Sequence, residues 1–304
     1  MENNLSDKNE NKNKDRKGRG VSHSKIILMG EHSVVYGYPA IAIPLKNIRM
    51  ECIVERATVP FIHNKKDTLS TAIYTALNYL NRKSENIKYK VISDIPPKRG
   101  MGSSAAVSIA AIRGVLDYFN TEVDNLTLEK LVNEAEIIAH NTPSGLDAKT
   151  CLSDSAIKFI KNKGFKNLEM NLGAYLLIAD TGIHGHTRDA IMNIKNMGDR
   201  ALPMLEKLGK LTEETEKFIE EKDVINIGKN MISAHGELKK LGVSIEKSDI
   251  LLKAAIDEGA YGAKMSGGGL GGCIIALMES REKAEMTGKK LMEKGAVNIW
   301  IEAL

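Results

Sequence analysis

The stretch from Lys98 to Ala106 (K-R-G-M-G-S-S-A-A) brings glycines and hydroxyl groups to the start of a helix predicted over Ser103 to about Phe119. The first N–H groups of a helix lack intrahelical partners and lie at the positive end of its dipole. Gly100 and Gly102 let an anion approach the backbone closely. Residues 98–102, which we call the cradle loop, are therefore predicted to bind phosphate, although no G-x-x-x-x-G-K-[ST] motif occurs. A serine-capped helix after a tight turn is the alternative.

A second glycine-rich segment, residues 267–272 (G-G-G-L-G-G), lies between strands predicted over Tyr261–Met265 and Cys273–Met278. We call it the glycine loop. It matches G-x-G-x-x-G, but dinucleotide binding by that motif requires a helix after the loop, and a strand follows here. Five glycines in six positions favour close approach of a ligand to the backbone, with a flexible hairpin as the alternative.

Two carboxylates could support metal binding and proton transfer. Glu136 and His140 are four residues apart on a helix predicted from Thr127, its candidate N-cap, and the segment Thr142–Asp147 (T-P-S-G-L-D) follows as a turn. A carboxylate on the helix suits Mg²⁺, and Asp147 just past the turn suits work on a substrate hydroxyl. The alternative is a solvated helix face.

Polar groups also bracket the first predicted strand, Lys25–Met29. Lys25 stands at its start, and Glu31 and His32 follow its end. The string from Met29 to Ala40 (M-G-E-H-S-V-V-Y-G-Y-P-A) is too particular for an ordinary loop, although solvation of a sheet edge would explain the charges alone.

The apolar residues of the remaining elements follow either the helical period of about 3.6 residues or the strand period of about 2. The order from residue 171 onward is β-α-β-β-α-β, the ferredoxin-like split arrangement. Predicted strands are Ala40–Ile43, Ile48–Glu55, Ile87–Ile92, Tyr175–Ala179 and Val297–Ile301, and predicted helices lie over Leu69–Leu80, within Arg188–Asp257 and over Glu282–Lys294.

The chain has 304 residues and a net charge of +4, and this length indicates two domains or one large one. We predict a disordered tail over residues 1–19, an N-terminal domain over 20–170 and a C-terminal domain over 171–304. Residues 1–20 carry six Lys/Arg and four Asp/Glu, so the body is close to neutral, and aromatic residues are only 5%. Both facts argue against nucleic-acid binding.

The cysteines and the apolar segments bear on the compartment. Cys52, Cys151 and Cys273 have neither disulfide-like nor zinc-like spacing. No stretch approaches the roughly 20 apolar residues of a membrane span, and the tail lacks the apolar core of a signal peptide. We therefore expect a cytoplasmic protein with no membrane partner.

Taken together, these residues resemble the GHMP kinases, a family of small-molecule kinases. The three motifs of that family are matched in order by Lys25–Ala40, Pro96–Ala106 and Gly262–Gly272. The resemblance covers essentially the whole chain after residue 20. It is strongest to the members that act on mevalonate, through Lys25–Ala42 and Glu136–Asp147.

The resemblance implies an α+β fold with an N-terminal ribosomal-protein-S5-like α/β domain and a C-terminal ferredoxin-like βαββαβ domain with extra helices. The implied activity is ATP-dependent phosphorylation of mevalonate on its C5 hydroxyl, giving 5-phosphomevalonate for isoprenoid synthesis. ATP and mevalonate are the implied partners, Mg²⁺ is the implied metal, and a homodimer is left open.

Residue roles carry over by position. Asp147 and Lys25 match the catalytic pair, and Glu31, His32 and Thr187 match residues of the mevalonate site. The Mg²⁺ ligands are matched by Glu136 and by a serine of the Ser103-Ser104 pair. The implied ATP-binding residues are Lys98, Arg99, Gly100, Met101, Gly102, Ser103, Ser104, Ala105, Gly267, Gly268 and Gly269.

This chain departs from the family pattern at two places: Asn141 replaces a common glycine, and Lys98-Arg99 replaces smaller residues and adds positive charge near the phosphates. Two alternatives remain: a sibling kinase, such as one for phosphomevalonate, and a nucleotide-binding homologue without catalysis. The presence of both Lys25 and Asp147 argues against the second.

Overall fold

The structure, a computed structural model, describes residues 16–140 and 145–304. Its contacts divide the chain into two compact units. Unit 1 comprises Met1–Ser24, Lys46–Ile95 and Ser104–Leu152, and unit 2 comprises Lys25–Leu45, Pro96–Ser103 and Ser153–Leu304. The boundary predicted between residues 170 and 171 stays a prediction.

The strands are β1 (Lys17–Met29), β2 (Ala40–Arg56), β3 (Ile87–Ser93), β4 (Ala156–Ile160), β5 (Gly164–Leu168), β6 (Tyr175–Asp180), β7 (Gly262–Ser266), β8 (Cys273–Met278) and β9 (Asn298–Ala303). The helices are α1 (Thr68–Tyr79), α2 (Ser103–Tyr118), α3 (Asn125–His140), α4 (Leu146–Cys151), α5 (Thr187–Met197), α6 (Leu202–Glu220), α7 (Val224–Lys240), α8 (Glu246–Asp257) and α9 (Arg281–Glu293), with 3₁₀ segments at Ser33–Tyr36 and Gly198–Ala201.

In unit 1, helix α2 packs against the first residues of β1. A Cβ added at Gly20 would lie 2.0 Å from the carbonyl oxygen of Ala110, so strand and helix touch backbone to backbone. The buried face of α2 includes Ile109 and Ile112. This helix was predicted from Ser103, and the prediction is confirmed.

Helix α3 begins before the predicted Thr127. The N–H of Thr127 donates to Oδ1 of Asp124 at 2.6 Å, so Asp124 supplies the cap and Thr127 lies inside the helix. These hydrogen bonds lower the pKa of the Asp124 carboxyl. The predicted apolar stripe is buried at Leu128, Leu131, Val132 and Ala135.

Strand β2 is continuous where two strands were predicted. Its first residues, Ala40–Ala42, pair antiparallel with β4 in unit 2, and Met50–Arg56 pair antiparallel with β3 in unit 1. Between these two paired segments the strand runs through Pro44 without a break.

Strand β1 begins at Lys17, inside the segment that was predicted as a tail. The prediction is therefore wrong for residues 17–19, and also for Arg16, which donates to the carbonyl oxygens of Asp117 and Tyr118. Residues 1–15, the rest of that prediction, lie outside the described part of the chain.

In unit 2, the second sheet has the order β7-β8-β6-β9 with antiparallel pairs throughout. The predicted ferredoxin-like βαββαβ arrangement is thereby confirmed. Helices α8 and α9 cover one face and form a buried apolar core with the sheet, which includes Leu177, Leu251, Leu252, Ile274 and Leu291.

The β4–β5 hairpin of unit 2 was not predicted. Four of the five residues of β5 are exposed, so its sequence shows no apolar alternation.

Candidate active site

Lys25 lies against the cradle loop in unit 2. Its side chain is 2% exposed, and its Nζ donates to the carbonyl oxygen of Gly100 at 3.2 Å. Its backbone N–H donates to the carbonyl oxygen of Met101 at 3.1 Å. The structure thus brings the predicted catalytic lysine and the predicted phosphate loop together.

The cradle loop and the glycine loop meet backbone to backbone. A Cβ on Gly100 would lie 2.9 Å from the carbonyl oxygen of Ser266, and one on Gly267 would lie 2.8 Å from the Cα of Gly100. Both glycines have positive φ, 76° and 85°. Two segments that were predicted separately to face a ligand with bare backbone therefore form one surface of unit 2.

Ser266, the last residue of β7, holds this surface to β1. Its hydroxyl accepts the N–H of Ile27 at 3.0 Å and donates to the carbonyl oxygen of Ile27 at 2.8 Å. The strand that carries Lys25 is therefore fixed beside the entrance to the glycine loop.

Glu31 is fully buried and paired with Lys264, a residue that the sequence analysis missed. Lys264 is also fully buried, and its Nζ donates both to Oε1 of Glu31 and to the carbonyl oxygen of Met265, the latter at 2.7 Å. Burial raises the pKa of Glu31 and lowers the pKa of Lys264, and the attraction between the two groups opposes both shifts.

His32 follows Glu31 with a positive φ of 63°. Burial lowers the pKa of its ring to about 4, against a hydrogen bond with the backbone of Gly268, so the ring is neutral at pH 7. Among the described residues, neither Nε2 of His32 nor Oε2 of Glu31 has a hydrogen-bond partner, although both are buried. Such atoms are rare in folded proteins and are suited to a polar ligand.

Thr187, the first residue of α5, lies against the same glycine loop. A Cβ on Gly268 would be 1.9 Å from Oγ1 of Thr187, so only glycine fits between the loop and the helix. Gly268 thus lies between His32 and Thr187. All three predicted acceptor-site residues are in unit 2, and His32 and Thr187 both contact Gly268.

Asp147, Glu136, Ser104 and Ala105 belong to unit 1. Asp147 is half-buried in the first turn of α4, which Gly145 precedes with φ of 82°. The buried side chains of Leu146 and Ala148 fix that turn. Residues 141–144 of the predicted turn, Asn141 among them, lie outside the described residues.

The predicted metal ligands are all oxygen donors. Glu136 is 4% exposed on α3, while Ser103 and Ser104 open α2. A buried carboxylate with hydroxyl groups fits a hard cation such as Mg²⁺. No cluster of three or more His, Cys, Asp or Glu side chains that could hold a metal occurs within residues 16–140 and 145–304.

Arg99, which the sequence predicts to bind ATP, is part of an ion pair. Its Nε pairs with both carboxylate oxygens of Asp180, at 2.7 and 2.9 Å, while its buried Nη1 has no hydrogen-bond partner among the described residues. Asp180 and Lys264 are the two charged residues that sequence reasoning missed. Each is a single charged residue in a mostly apolar strand, a pattern that indicates a buried charge with a partner. The partners could not be identified because they lie far away in sequence.

Comparison with known proteins agrees with the motifs. The family model described as GHMP kinases N terminal domain matches residues 71–154, and that described as GHMP kinases C terminal matches residues 215–295. A mevalonate kinase of Pyrococcus furiosus is 31% identical in an alignment of length 306 that covers 88% of this chain and 91% of that protein.

The chain belongs to the GHMP kinase family.

Solved structures of family members agree. A mevalonate kinase from methicillin-resistant Staphylococcus aureus MRSA252 is 30% identical, with a TM-score of 0.74 over 95% of this chain and 99% of that one. The L. major mevalonate kinase in complex with R-mevalonate shares the fold, with a TM-score of 0.84, 23% identity and coverage of 95% and 97%.

Among the described helices of the structure, none has the length and apolar character needed to cross a bilayer.

Proposed function

We propose that this GHMP kinase transfers the γ-phosphoryl group of ATP to the C5 hydroxyl of mevalonate. The observation that carries the proposal is the assembly within unit 2, where Lys25 and the two glycine-rich loops are in contact and His32 and Thr187 both contact Gly268 of the glycine loop. The mevalonate kinases to which the chain is similar supply the identity of the acceptor.

The phosphoryl donor would be bound mainly by backbone. Phosphoryl transfer needs positioning and charge neutralisation more than covalent chemistry. The N–H groups at the start of α2 and along the two loops suit the triphosphate, and Gly100, Gly102 and Gly267 allow it to come close. Lys25 adds a positive charge at the cradle loop.

In the transfer step, the C5 oxygen attacks the γ-phosphorus and the bond to the bridging oxygen of ADP breaks. The hydroxyl proton is accepted or oriented by the carboxylate of Asp147, and Lys25 stabilises the negative charge that develops on the oxygen. Glu136 with Ser103 or Ser104 would hold Mg²⁺, which neutralises phosphate charge when bound.

The acceptor site would use the buried polar atoms beside the glycine loop. Oε2 of Glu31 can accept a hydrogen bond from a hydroxyl, and neutral His32 can donate or accept through Nε2. Thr187 offers a further hydroxyl. A small polar alcohol that carries a carboxylate and hydroxyls matches such a set better than an apolar substrate does.

An ADP-release assay across mevalonate, phosphomevalonate, homoserine and galactose tests the proposal. Mevalonate should give the highest kcat/KM. A higher value for phosphomevalonate or another acceptor would establish the sibling-kinase alternative. ATP binding without turnover of any acceptor would establish the non-catalytic one. A cytoplasmic location and a homodimer stay predictions.

A further inference from the structure

The guanidinium of Arg99 is enclosed beside the end of strand β6. Its side chain is 11% exposed and that of its partner Asp180 is 4% exposed. Nη2 of Arg99 donates to the carbonyl oxygen of Gly182 at 3.1 Å, and the N–H of Gly182 donates to Oδ1 of Asp180 at 2.8 Å. The arginine is therefore locked into the turn that leaves β6.

The backbone of the same residue is held at the neighbouring strand. The carbonyl oxygen of Arg99 accepts the N–H of Cys273 at 3.2 Å, and Cys273 is the residue of β8 that pairs with Asp180 of β6. The side chain of Arg99 thus binds Asp180 and its main chain binds Cys273, and these two residues are paired in the second sheet. A Cβ on Gly272 would lie 2.8 Å from the carbonyl oxygen of Arg99, so the end of the glycine loop lies there too.

The cradle loop needs such an attachment. Lys98, Gly100 and Gly102 all have positive φ, so residues 98–102 belong to no helix or strand that would order them. Glycine-rich backbone loses much conformational entropy when it is fixed. A loop that binds phosphate through its N–H groups loses affinity if those groups are not already oriented.

We propose that Arg99 is a positioning residue for the phosphoryl donor. Its ion pair with Asp180 fixes the cradle loop to the second sheet and to the glycine loop, in the conformation that binds the triphosphate. This inference rests on the proposed function, since it assumes that the loop binds ATP. It assigns the arginine a role through the loop rather than direct contact with phosphate.

Four variants separate the two roles: Arg99→Met, Arg99→Lys, Asp180→Asn, and the double Arg99→Met with Asp180→Asn. ATP affinity is measured by calorimetry without acceptor, and KM for each substrate by ADP release. If Arg99 positions the loop, Arg99→Met and Asp180→Asn should each weaken ATP binding about tenfold or more. The N–H groups of the loop would then have to be ordered when ATP binds. KM for mevalonate should change little.

The double variant should bind ATP no worse than either single variant, because both remove one interaction. Arg99→Lys should recover only part of the affinity, since an ammonium lacks the planar fork. Lys158→Met is the matched control: it breaks another largely buried ion pair of unit 2, Lys158–Glu216 at 2.5 Å, and should lower Tm without changing ATP affinity.

Direct phosphate contact predicts the opposite for one variant. Asp180→Asn would then release the charge of Arg99 and leave ATP binding unchanged or tighter, which would overturn the proposal, as would additive losses in the double variant. Should Arg99→Met fail to fold, Arg99→Lys and Asp180→Asn carry the same comparison. Failure of the wild-type protein to use mevalonate, with ATP still bound, would refute only the proposed acceptor.

Discussion

At the scale of single residues, we expect catalysis to depend on the ammonium group of Lys25 and the carboxylate of Asp147, which lie on different elements. Lys25 is buried on β1 with its Nζ on Gly100, and Asp147 opens α4. Asp147→Asn and Lys25→Met should each lower kcat on the order of 10²–10⁴ with KM little changed, because both groups serve the transition state. The double variant should lose little more than one single variant.

Steady-state kinetics of the three proteins check this, with nucleotide binding measured separately. Asp154→Asn, an exposed aspartate, is the control for loss of one negative charge. Near wild-type kcat for Asp147→Asn would exclude its catalytic role. Strictly additive losses would mean that the two residues act independently.

Glu136 tests the metal. Glu136→Gln should leave the protein folded and give a defect that shrinks as Mg²⁺ is raised, because loss of one carboxylate ligand weakens the site without removing it. Glu134→Gln, an exposed glutamate two residues earlier on α3, is the matched control and should behave as wild type. An activity defect of constant size at every Mg²⁺ concentration would show that Glu136 acts otherwise.

At the scale of elements, the sequence of the glycine loop is constrained by helix α5, whose first residue packs against it. Gly268 has no positive φ, so its requirement for glycine is steric and comes from Thr187. Gly268→Ala should cost about 1–3 kcal/mol, the range for overpacked sites, and should also reduce kcat/KM for the acceptor. Urea denaturation and steady-state assays measure the two effects.

Gly236→Ala on α7 is the contrasting substitution, because nothing lies within 4 Å of its added Cβ. It should stabilise the protein by about 0.5–1 kcal/mol through helix propensity. A Gly268→Ala protein as stable and active as wild type would mean that Thr187 and the loop can move apart freely.

The N-terminal strand gives a second prediction at this scale. Arg16 donates to the carbonyl oxygens of Asp117 and Tyr118 at the end of α2, at 2.6 and 2.7 Å, and the N–H of Arg19 donates to Asp117 at 2.7 Å. The bonds of Arg16 add donors to carbonyl oxygens at the helix end, where intrahelical partners are lacking, and the bond of Arg19 goes to the carboxylate of Asp117. Removing residues 1–19 should therefore lower Tm by about 2 °C or more.

Removing only residues 1–15 should leave Tm and ATP affinity unchanged, because that segment has too little apolar content to dock. Thermal unfolding of the two truncated proteins makes the comparison. Equal Tm values for both would show that the start of β1 contributes nothing.

The sequence predicted those elements whose own residues carry the pattern. Apolar spacing placed α2, and strand-length apolar runs separated by helices gave the order of the second sheet. It failed where a partner decides the structure. β2 continues through Pro44 and pairs with β4 and β3, which lie far away in sequence, and exposed β5 is a strand because it pairs with β4.

The candidate site divides in the same way. Its ligand-facing backbone was visible as glycine in the sequence, whereas the ion pairs Glu31–Lys264 and Arg99–Asp180 were not, since each joins residues far apart in the chain. Arg99 was consequently interpreted only as a charge for phosphate, and its ion pair with Asp180 is visible in the structure alone.

At the scale of the whole molecule, the buried site should make stability depend on pH. The buried ring of His32 is harder to protonate in the folded protein than in the unfolded chain. Between the ordinary pKa of 6.5 and the pKa of about 4 for His32, the unfolded state binds more protons. The free energy of unfolding therefore falls as pH decreases through this window and is fully recovered above it.

His32→Gln removes this titration and keeps a polar side chain. Between pH 7.5 and pH 5.5 the wild-type protein should lose about 1 kcal/mol more of its unfolding free energy than the variant does, as linkage requires for such a shift. Urea denaturation at the two pH values measures the difference, and other titrating groups cancel because both proteins share them. His184→Gln, which changes an exposed histidine, should keep the wild-type dependence. Identical pH dependence of wild type and His32→Gln would mean that His32 takes up its proton in the folded protein as easily as in the unfolded chain, and that the site beside the glycine loop is open to water.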